Sequence, residues 1–171
     1  YLTKAQTNAV VWWAGARQCT STGENLLQTD AWDFSNSYYR IDRYYSIGQF
    51  SRYIQRGSTR VDVETKSTTA NRIPKDLSAS AYIKETHTIV LVNKSKSKAF
   101  DALLEIDGKD FDSMVSYTSS SSVKWLRKKL NPSSTGKRSV TVPKYSVVTI
   151  TEGSNKTQSG KLKEEQLSFV L

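Results

Sequence analysis

The sequence predicts a mainly β chain, an antiparallel β-sandwich preceded by a single β/α unit. Three observations carry this. An aromatic-rich helical segment stops at Gly57 and runs directly into a strand. From Val63 onward the hydrophobic period is two rather than that of a helix. Short alternating runs then recur between turn signals as far as residue 151, the spacing of an antiparallel sandwich.

Residues 8–14 (Asn-Ala-Val-Val-Trp-Trp-Ala) form a continuous apolar run, which reads as a strand buried on both faces. Such strands belong to α/β architecture. Residues 15–36 are polar and longer than the usual connection of about 4–6 residues, and long ordered loops are often functional. The helix expected over 39–54 carries Ile41, Tyr44, Tyr45 and Gly48 on one side and Ile47, Phe50 and Ile54 on roughly the opposite side. A surface helix has one apolar stripe, so two imply packing on two fronts, with Tyr45 and Phe50 buried against different partners. Gly48 costs about 1 kcal/mol against alanine within a helix, which close packing by a neighbour would offset. Gly57 supplies a left-handed stop.

Candidate strands follow at 60–64, 78–84, 88–93, 99–106, 114–119, 122–128, 139–142 and 145–151. In 99–106, Phe100, Ala102, Leu104 and Ile106 share one face and Asp101 and Glu105 the other; Val123 and Trp125 alternate with Lys124 in the same way. Asp107-Gly108 and Asn131-Pro132 mark turns. Residues 152–171 read as a flexible tail. Its last apolar residues, 167–171, have a docking surface that the sequence leaves open.

The chain has 171 residues, enough for one ordinary domain with its own core. With 37% hydrophobic residues and ample aromatics it is globular rather than disordered. No apolar run approaches the roughly 20 residues of a membrane span. The chain opens on Tyr1 rather than methionine, so the lack of a leader carries no information. The net charge of +9 raises the question of a polyanion partner. Yet the cations alternate along strands at Lys94, Lys96 and Lys98, cluster at 124–129, and recur in the tail at Lys156, Lys161 and Lys163, the distribution of solvated faces and edge strands rather than of a nucleic-acid site. Cys19 is the sole cysteine and forms no intrachain disulfide; a bridge to another part of a longer protein stays open. Asn93-Lys-Ser and Asn155-Lys-Thr are glycan acceptors if the protein is secreted by a eukaryote.

Chemistry-bearing residues are few. Glycoside hydrolysis needs two carboxyl groups, about 5–5.5 Å apart for retention or about 6.5–9.5 Å for inversion. Glu24, Asp30 and Asp33 lie in the loop expected after the Trp run, where they read as solvated or capping groups rather than as a rigid pair. His87 is the sole histidine and is expected in a turn, so no His-based metal cluster or Ser-His or Cys-His pair forms within this chain. No phosphate loop or other cofactor motif is present. Trp12 and Trp13 are the best binding candidates, because sugars stack their C–H faces on aromatic rings. Strand alternation gives one of them to the core and leaves the other for a cleft, unless both are core. Arg17, Gln18 and Asn25 could add hydrogen bonds to sugar hydroxyls or be ordinary loop residues.

The stretch Tyr44-Tyr-Ser-Ile-Gly-Gln-Phe-Ser-Arg-Tyr-Ile-Gln-Arg-Gly-Ser-Thr-Arg-Val-Asp-Val63 resembles the junction at which the last barrel helix of family 30 glycoside hydrolases enters their β-sandwich side domain. That family's wording is close to Tyr-x-x-Gly-x-Phe-Ser-[Arg/Lys]-[Phe/Tyr]-Ile-x-x-Gly-x-x-Arg-[Val/Ile]. The closing run from Val142 to Ile150 is similar to the last strand of the same side domain. The resemblance covers about residues 8–151. It implies the final β/α unit of a (β/α)8 TIM barrel over residues 1–57, the side domain over 58–151 and a tail over 152–171. It implies further that the two catalytic glutamates, at the ends of the fourth and seventh barrel strands, precede this chain, whose partner is then the upstream portion of the same enzyme. Substrates would be β-linked glycans such as xylan, β-1,6-galactan or β-1,6-glucan, hydrolysed with retention. The region of the Trp pair looks nearer the secreted fungal polysaccharide hydrolases. Trp13 matches the tryptophan that the family places near this point better than Trp12 does, although Ala14-Gly15 follows where a polar residue is usual. The rival reading is a stand-alone carbohydrate-binding or interaction module, against which a lone β/α unit leaves strand edges unpaired.

Overall fold

A computed structural model describes residues 9–18, 25–29, 38–64, 74–106, 113–131, 137–152 and 169–170. In chain order they form β1 (Ala14–Gln18), β2 (Asn25–Thr29), β3 (Tyr38–Arg40), α1 (Asp42–Ser51), β4 (Thr59–Val61), β5 (Val63–Glu64), β6 (Leu77–Ile83), β7 (His87–Asn93), β8 (Phe100–Ile106), β9 (Met114–Ser119), β10 (Leu126–Leu130), β11 (Arg138–Val142), β12 (Ser146–Glu152) and β13 (Phe169–Val170). The chain is mainly β. A six-stranded sheet in the order β10-β9-β12-β7-β6-β4 is antiparallel throughout. A four-stranded sheet, β11-β8-β13-β5, lies against it.

Strand alternation explains the layers. Ala81 and Ile83, Ile89 and Leu91, Met114, Leu130, Val148 and Ile150 point from the larger sheet into one core, where Ala102, Leu104, Val140 and Val142 meet them from the smaller. The intervening residues of the larger sheet face outward. Among them Tyr82, Val90 and Val147 form a second cluster with Phe50 and Ile54, so the outer face is covered by α1 and the turn after it. That helix packs on β9 and β12 on one flank and on β2 and β3 on the other. The two fronts inferred from its stripes are therefore present. Their division differs from expectation: Phe50 and Tyr45 are both half-buried, and both lie on the sandwich side, Phe50 on the outer cluster and Tyr45 against Trp125.

Polar groups fix the seat of α1. Gln49, fully buried, donates from Nε2 to Ser119 Oγ at 2.8 Å, and its carbonyl accepts from Thr149 Oγ1 at 2.9 Å. Thr88 Oγ1 donates to the Tyr53 carbonyl at 3.1 Å. The close neighbour expected at Gly48 is Trp125: a Cβ there would stand 2.4 Å from the indole Cζ2. Trp125 was expected inside a strand, but β10 begins one residue later, and Trp125 adopts φ 50°. A bulky residue in that region is strained by about 1–3 kcal/mol. Its backbone N–H donates to Ser119 Oγ at 3.2 Å and its indole N–H to the Tyr45 carbonyl at 3.1 Å, which offsets the strain. Gly57 has φ 82°, the left-handed stop read from the sequence.

Three further differences have simple causes. The helix begins at Asp42 rather than near 39, because Tyr38–Arg40 pairs with β2. Residues 15–36, expected as a loop, contain the whole of β2 and all of β1 except Ala14, and the two strands pair in parallel. Within the expected tail, Phe169–Val170 pairs with β8 and β5, so these two residues dock on the sandwich.

Replacing Gly48 with alanine gains about 1 kcal/mol of helix propensity yet forces the pinned indole aside, so a net loss of about 1–3 kcal/mol is expected in chemical denaturation. In a Trp125→Ala background the same change should be neutral or stabilising. Burial pushes the Tyr53 hydroxyl up from 10.0 to about 12, with Tyr117 adding to this and Arg52 opposing it. The folded state thus holds this proton longer than the unfolded chain, a contribution complete below about pH 10 and lost as the pH rises through about 12. Tyr53→Phe should therefore flatten the decline in urea midpoint between about pH 10 and 12.

Candidate functional site

The binding residues read from the sequence surround β1. The apolar run before it is not a buried strand: residues 9–12 have no regular structure, Trp13 lies in a bend, and the ladder to β2 starts at Ala14. A continuous apolar run becomes a doubly buried strand only when layers cover both its faces. Among the described residues nothing provides them. Val10 and Val11 are exposed, and the two tryptophans enter β1 instead of closing a strand.

The pair is nonetheless asymmetric. Arg43 of α1 holds its guanidinium 4.9 Å from the Trp12 ring, a cation–π distance that ties Trp12, 40% exposed, to the helix. Trp13 is 83% exposed. Arg17, also exposed, pairs across the ladder with Gln28, and Gln18 with Thr29 at the end of β1. Asn25 does not join them. It is buried, and its Nδ2 donates to the Leu27 carbonyl at 2.6 Å, so it holds β2 rather than offering its amide to a ligand. Sequence reasoning missed Tyr38 and Tyr39, exposed aromatics of β3, the second of which falls within the expected helix. The acidic first-turn residue Asp42 was the available sequence signal for the true boundary. Arg40 lies 5.8 Å from the Tyr38 ring and 5.4 Å from that of Tyr44, and a hydrogen bond with Tyr44 raises its pKa above the usual value.

Several carboxylates among the described residues are engaged elsewhere. Asp42 pairs with Lys124 at 2.6 Å and Glu105 with Lys137 at 2.8 Å. His87 was expected in a turn but is the buried first residue of β7, joined through Nδ1 to Glu152 at the end of β12. No group of three or more His, Cys, Asp or Glu able to hold a metal occurs among the described residues. No described helix is long and apolar enough to cross a membrane. Glu24, Asp30, Asp33, Cys19 and Asn155 lie outside the described residues.

Asn93 is corrected as a glycan acceptor. It is 2% exposed, and its Nδ2 donates to the carbonyls of Lys98 and Pro143, both at 2.8 Å. Its Oδ1 accepts from the Ser95 N–H at 2.9 Å. The amide that a glycan would occupy closes the loop between β7 and β8 onto the end of β11.

No protein-family model and no curated protein matches the chain. Solved structures do. The catalytic domain of GH30 xylanase C from Talaromyces cellulolyticus superposes on 83% of the chain with a TM-score of 0.63 at 17% identity, over 30% of its own length. A GH30 endoxylanase from Clostridium papyrosolvens C71 matches 67% of the chain with a TM-score of 0.56 at 24% identity, over 28% of its own length. A GH51 arabinofuranosidase from Xanthomonas axonopodis pv. citri covers 75% of the chain at a TM-score of 0.52 and 11% identity, over 28% of its own length. The chain thus spans less than a third of these enzymes, and it has the fold of the β-rich C-terminal part of GH30 xylanases.

Asn93→Ala should cost about 1–3 kcal/mol by orphaning buried carbonyls, and mass spectrometry of the chain expressed through a eukaryotic secretory route should find Asn93 unmodified. Trp13→Ala, at an exposed position, should leave stability within about 0.5 kcal/mol of the parent.

Proposed function

We propose that this chain is the C-terminal portion of a family 30-like, retaining glycoside hydrolase acting on β-linked glycans. Residues 1–57 are its last barrel unit and residues 58–151 its side domain, with β13 returning to that domain from the tail. The observation that carries the reading is α1. The segment whose wording resembles the family junction is the helix that seats on the sandwich through Gly48 and Trp125 and meets the N-terminal strands with its other flank. The likeness to xylanases of this fold supports it, and the junction wording is what favours family 30 over the arabinofuranosidase that shares the architecture.

In this reading the catalytic glutamates lie in the upstream portion, which is the chain's partner. The exposed Val10, Val11 and Trp13 meet that portion or the cleft, with Trp13 flooring a sugar subsite, Trp12 held behind it by Arg43, and the exposed Arg17 lining the approach. The enzyme is secreted, as polysaccharide hydrolases that meet insoluble substrates must be. No cofactor is required, because two carboxyl groups suffice for the chemistry.

The test compares this chain with a longer polypeptide that contains it, on xylan and β-1,6-glucan. The longer polypeptide should release sugars whose first-formed anomer, read by NMR, retains the β configuration, and this chain alone should release none. Trp13→Ala in the longer polypeptide should lower kcat/KM about 10-fold or more without a change in thermal midpoint. Turnover by the chain alone that is lost on changing one of its own carboxylates would refute the assignment. Glycan binding by the chain alone, with no hydrolysis by the longer polypeptide, would establish the stand-alone module instead.

A further inference from the structure

The basic run at 124–129 has no part in the proposed function, and the fold gathers it with aromatic groups from elsewhere. On the outer face of the six-stranded sheet, beside the C-terminal end of α1, rings and cations alternate. The Arg52 guanidinium lies 4.9 Å from the Trp125 ring and 5.8 Å from the Tyr53 ring. Tyr53 stacks on Tyr117 with centroids 4.5 Å apart. Arg127 stands opposite Tyr117 across the β9–β10 ladder and so shares its face, and Lys129, two residues on, points the same way. Arg52, Arg127 and Lys129 are exposed. Lys124 is taken by Asp42, but among the described residues Arg127, Lys128 and Lys129 form no ion pair.

Protection of an edge accounts for part of this. β10 is the outermost strand of its sheet, and cations there deter a further strand from adding. Edge protection needs neither the rings nor guanidinium groups lodged among them. Unpaired guanidinium groups match carboxylates in charge and shape, and aromatic rings match the C–H faces of sugars.

We propose that the row Trp125, Arg52, Tyr53, Tyr117, Arg127 and Lys129 is a binding surface for an acidic polysaccharide, separate from the Trp12–Trp13 region before β1. Uronate carboxylates sit on the cations while sugar rings lie along the aromatic edges. The inference rests on the glycosidase reading, which makes a glycan rather than a nucleic acid the anionic polymer. It assigns the side domain the task of holding charged stretches of the polymer while neutral stretches enter the cleft.

The test is affinity electrophoresis of this chain in native gels containing polygalacturonate. The parent should be retarded, and R127A/K129A should bind about tenfold or more weakly. K96A/K144A removes the same charge from exposed positions elsewhere and should bind as the parent does. All four positions are exposed, so circular dichroism melts should coincide. Equal loss in the two double variants would overturn the site in favour of net charge, and an oligonucleotide bound as tightly as polygalacturonate would overturn the glycan assignment. Hydrolysis of neutral xylan by the longer polypeptide reports on the proposed function separately. Activity there with no polygalacturonate binding sinks this inference alone, and binding without hydrolysis sinks only the other.

Discussion

The contact between Gly48 and the Trp125 indole sets where α1 lies, and the position of α1 decides what the other elements can do. A side chain at residue 48 would collide with a ring that is itself fixed, by two hydrogen bonds, an edge contact with Tyr45 and the Arg52 guanidinium. The helix loses propensity by carrying glycine, and Trp125 takes a strained backbone conformation. Both costs are local. What they permit is a backbone approach close enough for Gln49 to reach Ser119 and Thr149 within the outer face of the sheet.

That approach gives the larger sheet two dry faces with different chemistry. Its inner face meets the smaller sheet mainly through apolar side chains, with Asn93 bonding to the end of β11 at the margin. Its outer face mixes Tyr82, Val90 and Val147 with hydroxyls at Thr88, Ser119 and Thr149, each placed where α1 or its following turn presents a partner. An apolar surface would hold a helix in many rotations about its axis; the buried amide and hydroxyls select one. The orientation so chosen sends Arg43 and Tyr44 toward the N-terminal strands, and Trp12 is held by the first of these. A tyrosine–arginine surface is left at the opposite end of the helix.

Most of the sandwich was legible because its signal is local. Alternation in β8 and the apolar centres of β7 and β12 mark them as strands, and the observed strands differ from the expected ones by a residue or two, except β10, which starts at Leu126 where residue 122 was expected. Gly48 and Gly57 were legible too, since each breaks a rule that only a close neighbour or a left-handed turn can justify. The failures share a cause. The run at 8–14 looked like a buried strand because apolar content reports a need for cover, not where the cover comes from. Trp125 looked like a strand residue because Val123, Lys124 and Trp125 alternate, and no local pattern announces a positive φ at tryptophan. Asn93 looked like a sequon because the tripeptide is blind to burial. At the candidate site the residue types were legible while their grouping was not: Asn25 turned inward, and Tyr38 and Tyr39 joined the exposed set only once β3 formed.

The central claim is that α1 belongs energetically to the sandwich while serving the strands before it. Native-state hydrogen exchange of this chain tests it most directly, because it resolves which amides open together. If the account holds, the amides of Gly48 to Arg52 exchange only with global unfolding, at the same free energy as those of β7 and β12, while β1 to β3 open at lower cost. Exchange of the α1 amides by a local opening shared with β1 to β3, leaving β12 protected, would contradict it.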